Sequence, residues 1–271
     1  MLRSRIIPCL LVHKKGLVKT VQFKNPKYVG DPINAVKIFN EKEVDELIVL
    51  DIDATVESRE PDFTLIKNLA TECRMPLCYG GGVKTVEQAK KIISLGAEKV
   101  ALSSAALENP SLLSEIARAV GTQSVVVILD VKKKKVFGGY DIYTRNGKVK
   151  AKRKFEGFLK ELEEIGIGEL VINSIDNDGK MTGYDIDLAS IVRNIISTPL
   201  TVLGGAGKLE DIAKLIFKFK LIGAAAGSLF VFKGKYKAVL INYPSFKDKK
   251  NFIEIRKWNK SYKTSAKEIH Y

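Results

Sequence analysis

Glu46-Leu-Ile-Val-Leu-Asp51-Ile-Asp53 and Glu169-Leu-Val-Ile-Asn173-Ser-Ile-Asp176 are the two stretches that decide how this chain folds. Each is an apolar run of strand length, opened by a glutamate and closed by aspartate, and the two stand 123 residues apart. The same offset carries Pro76-Leu77…Gly81-Gly82 onto Pro199-Leu200…Gly204-Gly205, and Ser104-Ala105 onto Gly227-Ser228. Leu10-Leu11-Val12 matches Leu129-Asp130-Val131 at an offset of 119, a difference that a four-residue change in the following loop absorbs. Matches that recur in order at a fixed spacing mark an internal duplication.

Eight apolar runs line up around these anchors: Ile6–Val12, Leu47–Ile52, Leu77–Tyr79, Val100–Leu102, Val125–Val131, Leu170–Ile175, Leu200–Leu203 and Ile222–Ala226. They are continuous rather than alternating, which indicates strands of a parallel sheet buried on both faces. Helical spacing fills the intervals at Pro32–Val44, Val86–Leu95, Leu112–Val120, Phe155–Ile165, Ile186–Ile196 and Leu209–Phe219. Asn109-Pro110-Ser111 reads as a helix N-terminal cap. Eight alternations of strand and helix over residues 1–245 predict a (β/α)8 TIM barrel built from two half-barrel repeats. Residues 246–271 fall outside the repeat and read as a Lys-rich C-terminal extension, frayed or loosely packed, because beyond Trp258 and Tyr262, the residues able to dock it, its lysines leave little to bury.

No run approaches the roughly 18 apolar residues of a membrane span. The first residues lack a signal-peptide core, so a cytoplasmic protein is expected. The three cysteines (Cys9, Cys73, Cys78) and two histidines (His13, His270) have no disulfide or zinc spacing, and neither a metal nor a cofactor is expected. The net charge of +14 is local: residues 132–154 hold ten Lys/Arg against Asp141 alone, and residues 247–271 hold eight against three acids. Such fields attract anions, phosphorylated ligands among them. A nucleic-acid binder is a competing reading, but neither block has regular aromatic interleaving.

Three constellations carry chemistry. Glycines and serines after strands three, four, seven and eight form two phosphate cups at strand C-terminal ends, where barrel active sites sit. They are Gly80-Gly81-Gly82 with Ser103-Ser104, and Gly204-Gly205 with Gly227-Ser228 before a short helix. Carboxylates end strands: Asp130, Asp51, Asp176 and Asp178, with Asp130 the best general acid or base because it follows a purely apolar run. Its repeat partner is Leu11, so only one side of the mouth carries that carboxylate. At the opposite end Arg5, Glu46, Lys99 and Glu169 stand at strand starts and predict a charged ring closing the barrel bottom, paired because burial of lone charge is costly.

With these residues in view, the chain resembles the cyclase subunit of imidazole glycerol phosphate synthase. The likeness is carried by Arg5-Ile-Ile-Pro-Cys-Leu10, Gly30-Asp31-Pro32, Asp45-Glu-Leu, Gly80-Gly-Gly82, Glu108-Asn-Pro-Ser111, Ser174-Ile-Asp-Asn-Asp-Gly179, Gly183-Tyr184-Asp185 and Gly204-Gly-Ala-Gly207. It implies a bisphosphorylated ligand bound between the cups by Gly82, Ser103, Ser104, Asp178, Gly179, Gly205, Gly227 and Ser228, with Lys19, Asp51 and Asp176 as further candidates. It also implies a glutaminase subunit docked on the N-terminal face of the barrel. Ammonia from that subunit enters through a gate of Arg5, Glu46, Lys99 and Glu169 and travels to the mouth. The family's acid–base pair is two aspartates, and Asp130 matches one while Leu11 replaces the other. Leu203 stands where a serine is usual, and Ser103-Ser104 where Asn-Thr is favoured. An intact bottom beneath an altered top resembles a paralogue that passes ammonia to a third protein, a sugar amidotransferase acting on a nucleotide-linked surface sugar. The alternative is a working lyase of histidine biosynthesis in which Asp51 or Asp176 stands in for the lost aspartate. Lys99→Ala is expected to impair ammonia transfer and leave stability nearly unchanged.

Overall fold

The computed structural model describes residues 3–136 and 138–249. Its first half runs β1 (Arg5–His13), β2 (Gly16–Val21), β3 (Lys24–Gly30), α1 (Pro32–Glu41), β4 (Leu47–Asp51), α2 (Phe63–Glu72), β5 (Leu77–Gly80), α3 (Val86–Ser94), β6 (Lys99–Leu102), α4 (Ser104–Glu108) and α5 (Ser111–Val120). The second half repeats the plan: β7 (Val125–Lys133), β8 (Tyr140–Thr144), β9 (Val149–Lys154), α6 (Phe155–Ile165), β10 (Glu169–Ser174), α7 (Ile186–Ile195), β11 (Leu200–Leu203), α8 (Leu209–Phe219), β12 (Gly223–Ala226) and α9 (Ser228–Val231). Parallel pairing follows the order β10-β11-β12-β1-β4-β5-β6-β7, and β7 pairs with β10 to close a ring of eight strands. The (β/α)8 barrel expected from the repeat is therefore present.

Strand parity sorts the side chains. Outward residues such as Ile6, Leu10, Val49 and Leu129 pack with the helices into one large core. Inward residues form a second, separate core of Ile7, Cys9, Ile48, Cys78, Ala101, Val126, Ile128, Val171, Leu203 and Ala225, flanked by Leu11 and Leu50. Cys9 and Cys78 are small apolar members of that inner core, and both are free thiols. On β1 and β10 the inward face thus reads from bottom to top as charge, apolar filler, then mouth residue: Arg5, Ile7, Cys9, Leu11 on β1, and Glu169, Val171, Asn173 on β10.

Several features depart from expectation. Both halves open with an antiparallel hairpin, β2–β3 after β1 and β8–β9 after β7, so the basic segment contributes the strands Tyr140–Thr144 and Val149–Lys154 to the sheet. Helix α2 carries only two fully buried residues, Ile66 and Leu69, a stripe too thin to read, and is started by Asp62 accepting from the Leu65 amide. Asn109 ends α4 instead of capping α5, whose first turn has no side-chain cap. After β12 and α9 come two short strands, β13 (Phe232–Lys233) and β14 (Ala238–Val239). Residues 246–249 form a helical turn, and Lys249 Nζ reaches Asp45 at 2.9 Å beside Tyr243, whose hydroxyl donates to the Ile6 carbonyl at 2.8 Å. The expected extension is docked in these residues. Trp258 and Tyr262 lie outside the described residues.

Candidate functional site

At the bottom, Arg5, Lys99 and Glu169 are the first residues of their strands, and Glu46 immediately precedes β4. Each cation touches both carboxylates. Arg5 is bound to Glu46 and donates to Glu169 at 2.8 Å, while Lys99 donates to Glu46 and to Glu169, each at 2.7 Å. The Thr201 hydroxyl donates to Glu169 as well. The glutamates are buried, with side chains only 3% and 4% exposed, so the ring closes the axis. Burial and the charge of Glu169 hold the Glu46 carboxyl above the usual range. Glu169 is buried too, but Arg5 and Lys99 draw it below that range. Burial opposes the charge on Lys99, yet the two glutamates outweigh it and raise the ammonium. Lys99 is therefore the counter-charge of two buried carboxylates, so its removal is expected to cost stability rather than to spare it.

At the top, the mouth is divided into two compartments, of about 380 Å³ and about 110 Å³. The larger is lined by Asp178, Gly179, Gly205, Gly227 and Ser228, the smaller by Gly82, Ser103 and Ser104. The two cups thus fall one to each compartment, and Asp130, Leu50 and Ile52 line both. Glycine is required at 205: φ is +109° and a Cβ would stand 2.1 Å from the Gly183 carbonyl. Helix α9 is one turn long, so what it offers an anion is free amides rather than a helix dipole. Lys19 is buried with its Nζ on the Cys9 carbonyl at 2.6 Å, and a Cβ on Gly227 would sit 2.7 Å from that ammonium. Burial lowers the Lys19 ammonium from its ordinary range. A buried cation with no carboxylate bound among the described residues, beside an anion cup, is suited to a phosphate. One oxygen of Asp178, Oδ2, accepts from Thr20 at 2.8 Å and from the Phe23 amide at 3.2 Å. It ties the β2–β3 hairpin to the mouth, where Asp178 and Gly179 line the larger compartment together.

Asp130 ends the inward face of β7, where Asn173 Nδ2 donates to it at 2.9 Å. Burial pushes its carboxyl up to about 7, with Asn173 opposing and the Asp178 charge adding to the rise. At neutral pH such a group both gives and takes protons. β1 stands four places from β7 in the ring of eight, so Leu11 faces Asp130 across the axis in the same compartment. Asp51 accepts from the Asp53 and Ala54 amides and lies 3.5 Å from Arg59, so its oxygens hold a turn. Asp176 accepts from the Lys133 amide and lines neither compartment.

Two groups in the mouth were not singled out from sequence. Asn173 interrupts an apolar strand on its inward parity, and its buried Oδ1 has no partner among the described residues. His13 stands two residues beyond Leu11, on the same face of β1, with Nδ1 2.7 Å from Asp53, whose other oxygen accepts from the Lys14 amide. The scarcity of histidine in the chain was the available signal. Among the described residues no group of His, Cys, Asp and Glu could hold a metal ion, and no helix is long and apolar enough to cross a membrane.

The sequence profile of the family described as "Histidine biosynthesis protein" matches residues 5–237. A chain of Vibrio vulnificus, provisionally named imidazole glycerol phosphate synthase subunit hisF3, is 60% identical over 255 residues, covering 94% of this chain and 98% of that one. A Pseudomonas aeruginosa chain, provisionally named subunit hisF2 of the same synthase, is 52% identical over 90% of this chain and 97% of its own length. The imidazole glycerol phosphate synthase subunit HisF of Lactococcus lactis is 38% identical, covering 85% of this chain and 89% of its own. With its charged ring, its paired cups and these relatives, the chain belongs to the histidine biosynthesis protein family, among the HisF-type cyclase subunits of imidazole glycerol phosphate synthase.

Proposed function

We propose that this chain is the ammonia-conducting subunit of a cytoplasmic glutamine amidotransferase complex, with little imidazole synthesis of its own. A glutaminase subunit docks on the face that carries Arg5, Glu46, Lys99 and Glu169, and ammonia passes along the axis to the mouth. From there it goes to a sugar amidotransferase acting on a nucleotide-linked sugar. The observation that carries this reading is the contrast along β1. Arg5 at its foot is fully engaged in the ring, and Leu11 at its head faces Asp130 with an aliphatic side chain. Leucine moves no proton, and loss of one general acid or base costs about 10²–10⁴-fold. The inner core of Ile7, Cys9, Ile48, Val126 and Val171 is apolar and supports passage of neutral ammonia over ammonium.

A working lyase is the second reading, and one observation favours it. His13, oriented by Asp53, lines the same compartment as Asp130 on the side of β1, whereas Asp51 and Asp176 lie outside that compartment and each has one oxygen on backbone amides. Steady-state turnover of the bisphosphorylated histidine precursor with ammonium decides between the two. The conducting subunit gives turnover far below the ordinary enzymatic range of about 1–10³ s⁻¹, and a kcat inside that range returns the chain to histidine synthesis.

A further inference from the structure

The turn between β8 and β9 lies across the mouth. Arg145, Asn146 and Gly147 all have positive φ, at 51°, 57° and 71°, so the chain reverses tightly. Asn146 Nδ2 donates to the Ile52 carbonyl at 2.9 Å, which pins a turn of the second half-barrel onto the first. Gly147 lies against Phe23 of the β2–β3 hairpin, 3.1 Å from where its Cβ would be. Asn146 lines both compartments and stands at their division. Its neighbours part company: Arg145 lines only the smaller compartment, with Gly82, Ser103 and Ser104, and Lys148 only the larger, with Gly205, Gly227 and Ser228. Three other cations of the segment are paired, Lys134 and Lys150 with Asp141 and Arg153 with Glu161, and among its cations only Arg145 and Lys148 line the two compartments. Arg145 and Lys148 enter no ion pair among the described residues, and both are exposed.

We propose that the turn Arg145–Lys148 is a two-cation strap: Arg145 and Lys148 each supply a positive charge to one end of a ligand phosphorylated at both ends, with Asn146 dividing the mouth between them. The proposal rests on the reading of the two cups as a bisphosphate site. The middle of such a ligand passes beneath Asn146, over Leu50, Ile52 and Asp130, which line both compartments. A monophosphate meets one cation and one cup. A bisphosphate of the right span meets both, and the second contact is intramolecular. The strap therefore selects for length as well as charge.

Calorimetry on the full chain tests this, with the bisphosphorylated histidine precursor and inorganic phosphate as probes. Arg145→Ala and Lys148→Ala are each expected to weaken the bisphosphate about tenfold, as loss of a charged contact does. The double variant should approach a hundredfold, because the two cations act on separate ends. Its binding should also depend less steeply on salt. Inorganic phosphate in the larger compartment should lose affinity with Lys148→Ala and keep it with Arg145→Ala, and Arg145→Lys should retain bisphosphate affinity. If both alanine variants bind the bisphosphate within twofold of wild type, at unchanged Tm, the strap is wrong and the cups stand. If wild type binds neither probe, the bisphosphate site and the strap fall together.

Discussion

The two ends of the barrel hold the same kind of material in opposite states. At the bottom, two cations and two carboxylates are mutually satisfied, and every charge touches both opposite charges. At the mouth, among the described residues, Asp130 has one amide donor and an aliphatic residue across the axis, and Lys19 has only a backbone carbonyl. Closure is achieved with charge that is already neutralised, while chemistry or binding needs charge left available. The contrast agrees with the principle that perturbed groups gather at functional sites: Asp130 is raised by burial with little to compensate, whereas burial of Glu169 is overcome by its partners.

The largest effect expected follows from making the mouth two-sided again. Leu11→Asp should raise turnover of the bisphosphorylated histidine precursor with ammonium by about a hundredfold or more, the lower range for a restored general acid or base. Asp130→Asn in that background should remove the gain. A Leu11→Asp chain that folds, binds the precursor and gains nothing would mean that His13 already does the work or that no proton is moved here.

The bottom is tested by breaking its balance. Lys99→Ala leaves Glu46 and Glu169 facing each other with Arg5 alone between them. The cost should be about 2–3 kcal/mol at pH 7.5, below the roughly 3–5 for a fully buried pair because Lys99 retains some exposure. The sign with pH is fixed by the carboxyls. Glu46 is raised above its unfolded value, so the variant's penalty should shrink as acid protonates it. Chemical denaturation at pH 7.5 and pH 5 measures both, and equal stability of variant and wild type at pH 7.5 would show that the ring is not a coupled unit.

How much of this was legible follows from what kind of signal each part leaves. The eight strands were readable because strands buried on both faces are continuously apolar, and the repeat aligned them. The ring was readable because Arg5, Glu46, Lys99 and Glu169 sit at the edge of such runs. The hairpins were not. In β9 the order Val149-Lys-Ala-Lys-Arg-Lys154 is dominated by lysine, and its pairing is set by β8, not by burial. The roles of Asp51 and Asp176 were also hidden, since an aspartate at a strand end caps a turn or faces a ligand according to a direction that sequence does not encode. His13 was missed because its partner Asp53 is 40 residues away and is brought to it only by the pairing of β1 with β4.

The smallest effect expected concerns the stability that the mouth gives up for an available carboxyl. Asp130 is raised from its ordinary value of 3.8 to about 7 in the folded chain. The folded state therefore holds its proton through a range in which the unfolded state has lost it, and stability from this group falls as pH rises from about 4 to about 7. Above that range the charged form is buried at full cost. Asp130→Asn keeps the shape and removes the charge, and its amide still reaches Asn173, whose Oδ1 is without a partner among the described residues and can accept from it. The variant should be more stable than wild type at pH 8, on the order of 1–2 kcal/mol after allowance for its partial exposure and for screening. At pH 3.5, below the unfolded value, where Asp130 is largely neutral in both states, the two should nearly agree. Thermal denaturation at both pH values measures the difference. A gain confined to pH 8 locates the cost in the charge; a gain of the same size at both would locate it in packing and remove Asp130 from the list of groups poised to move a proton at neutral pH.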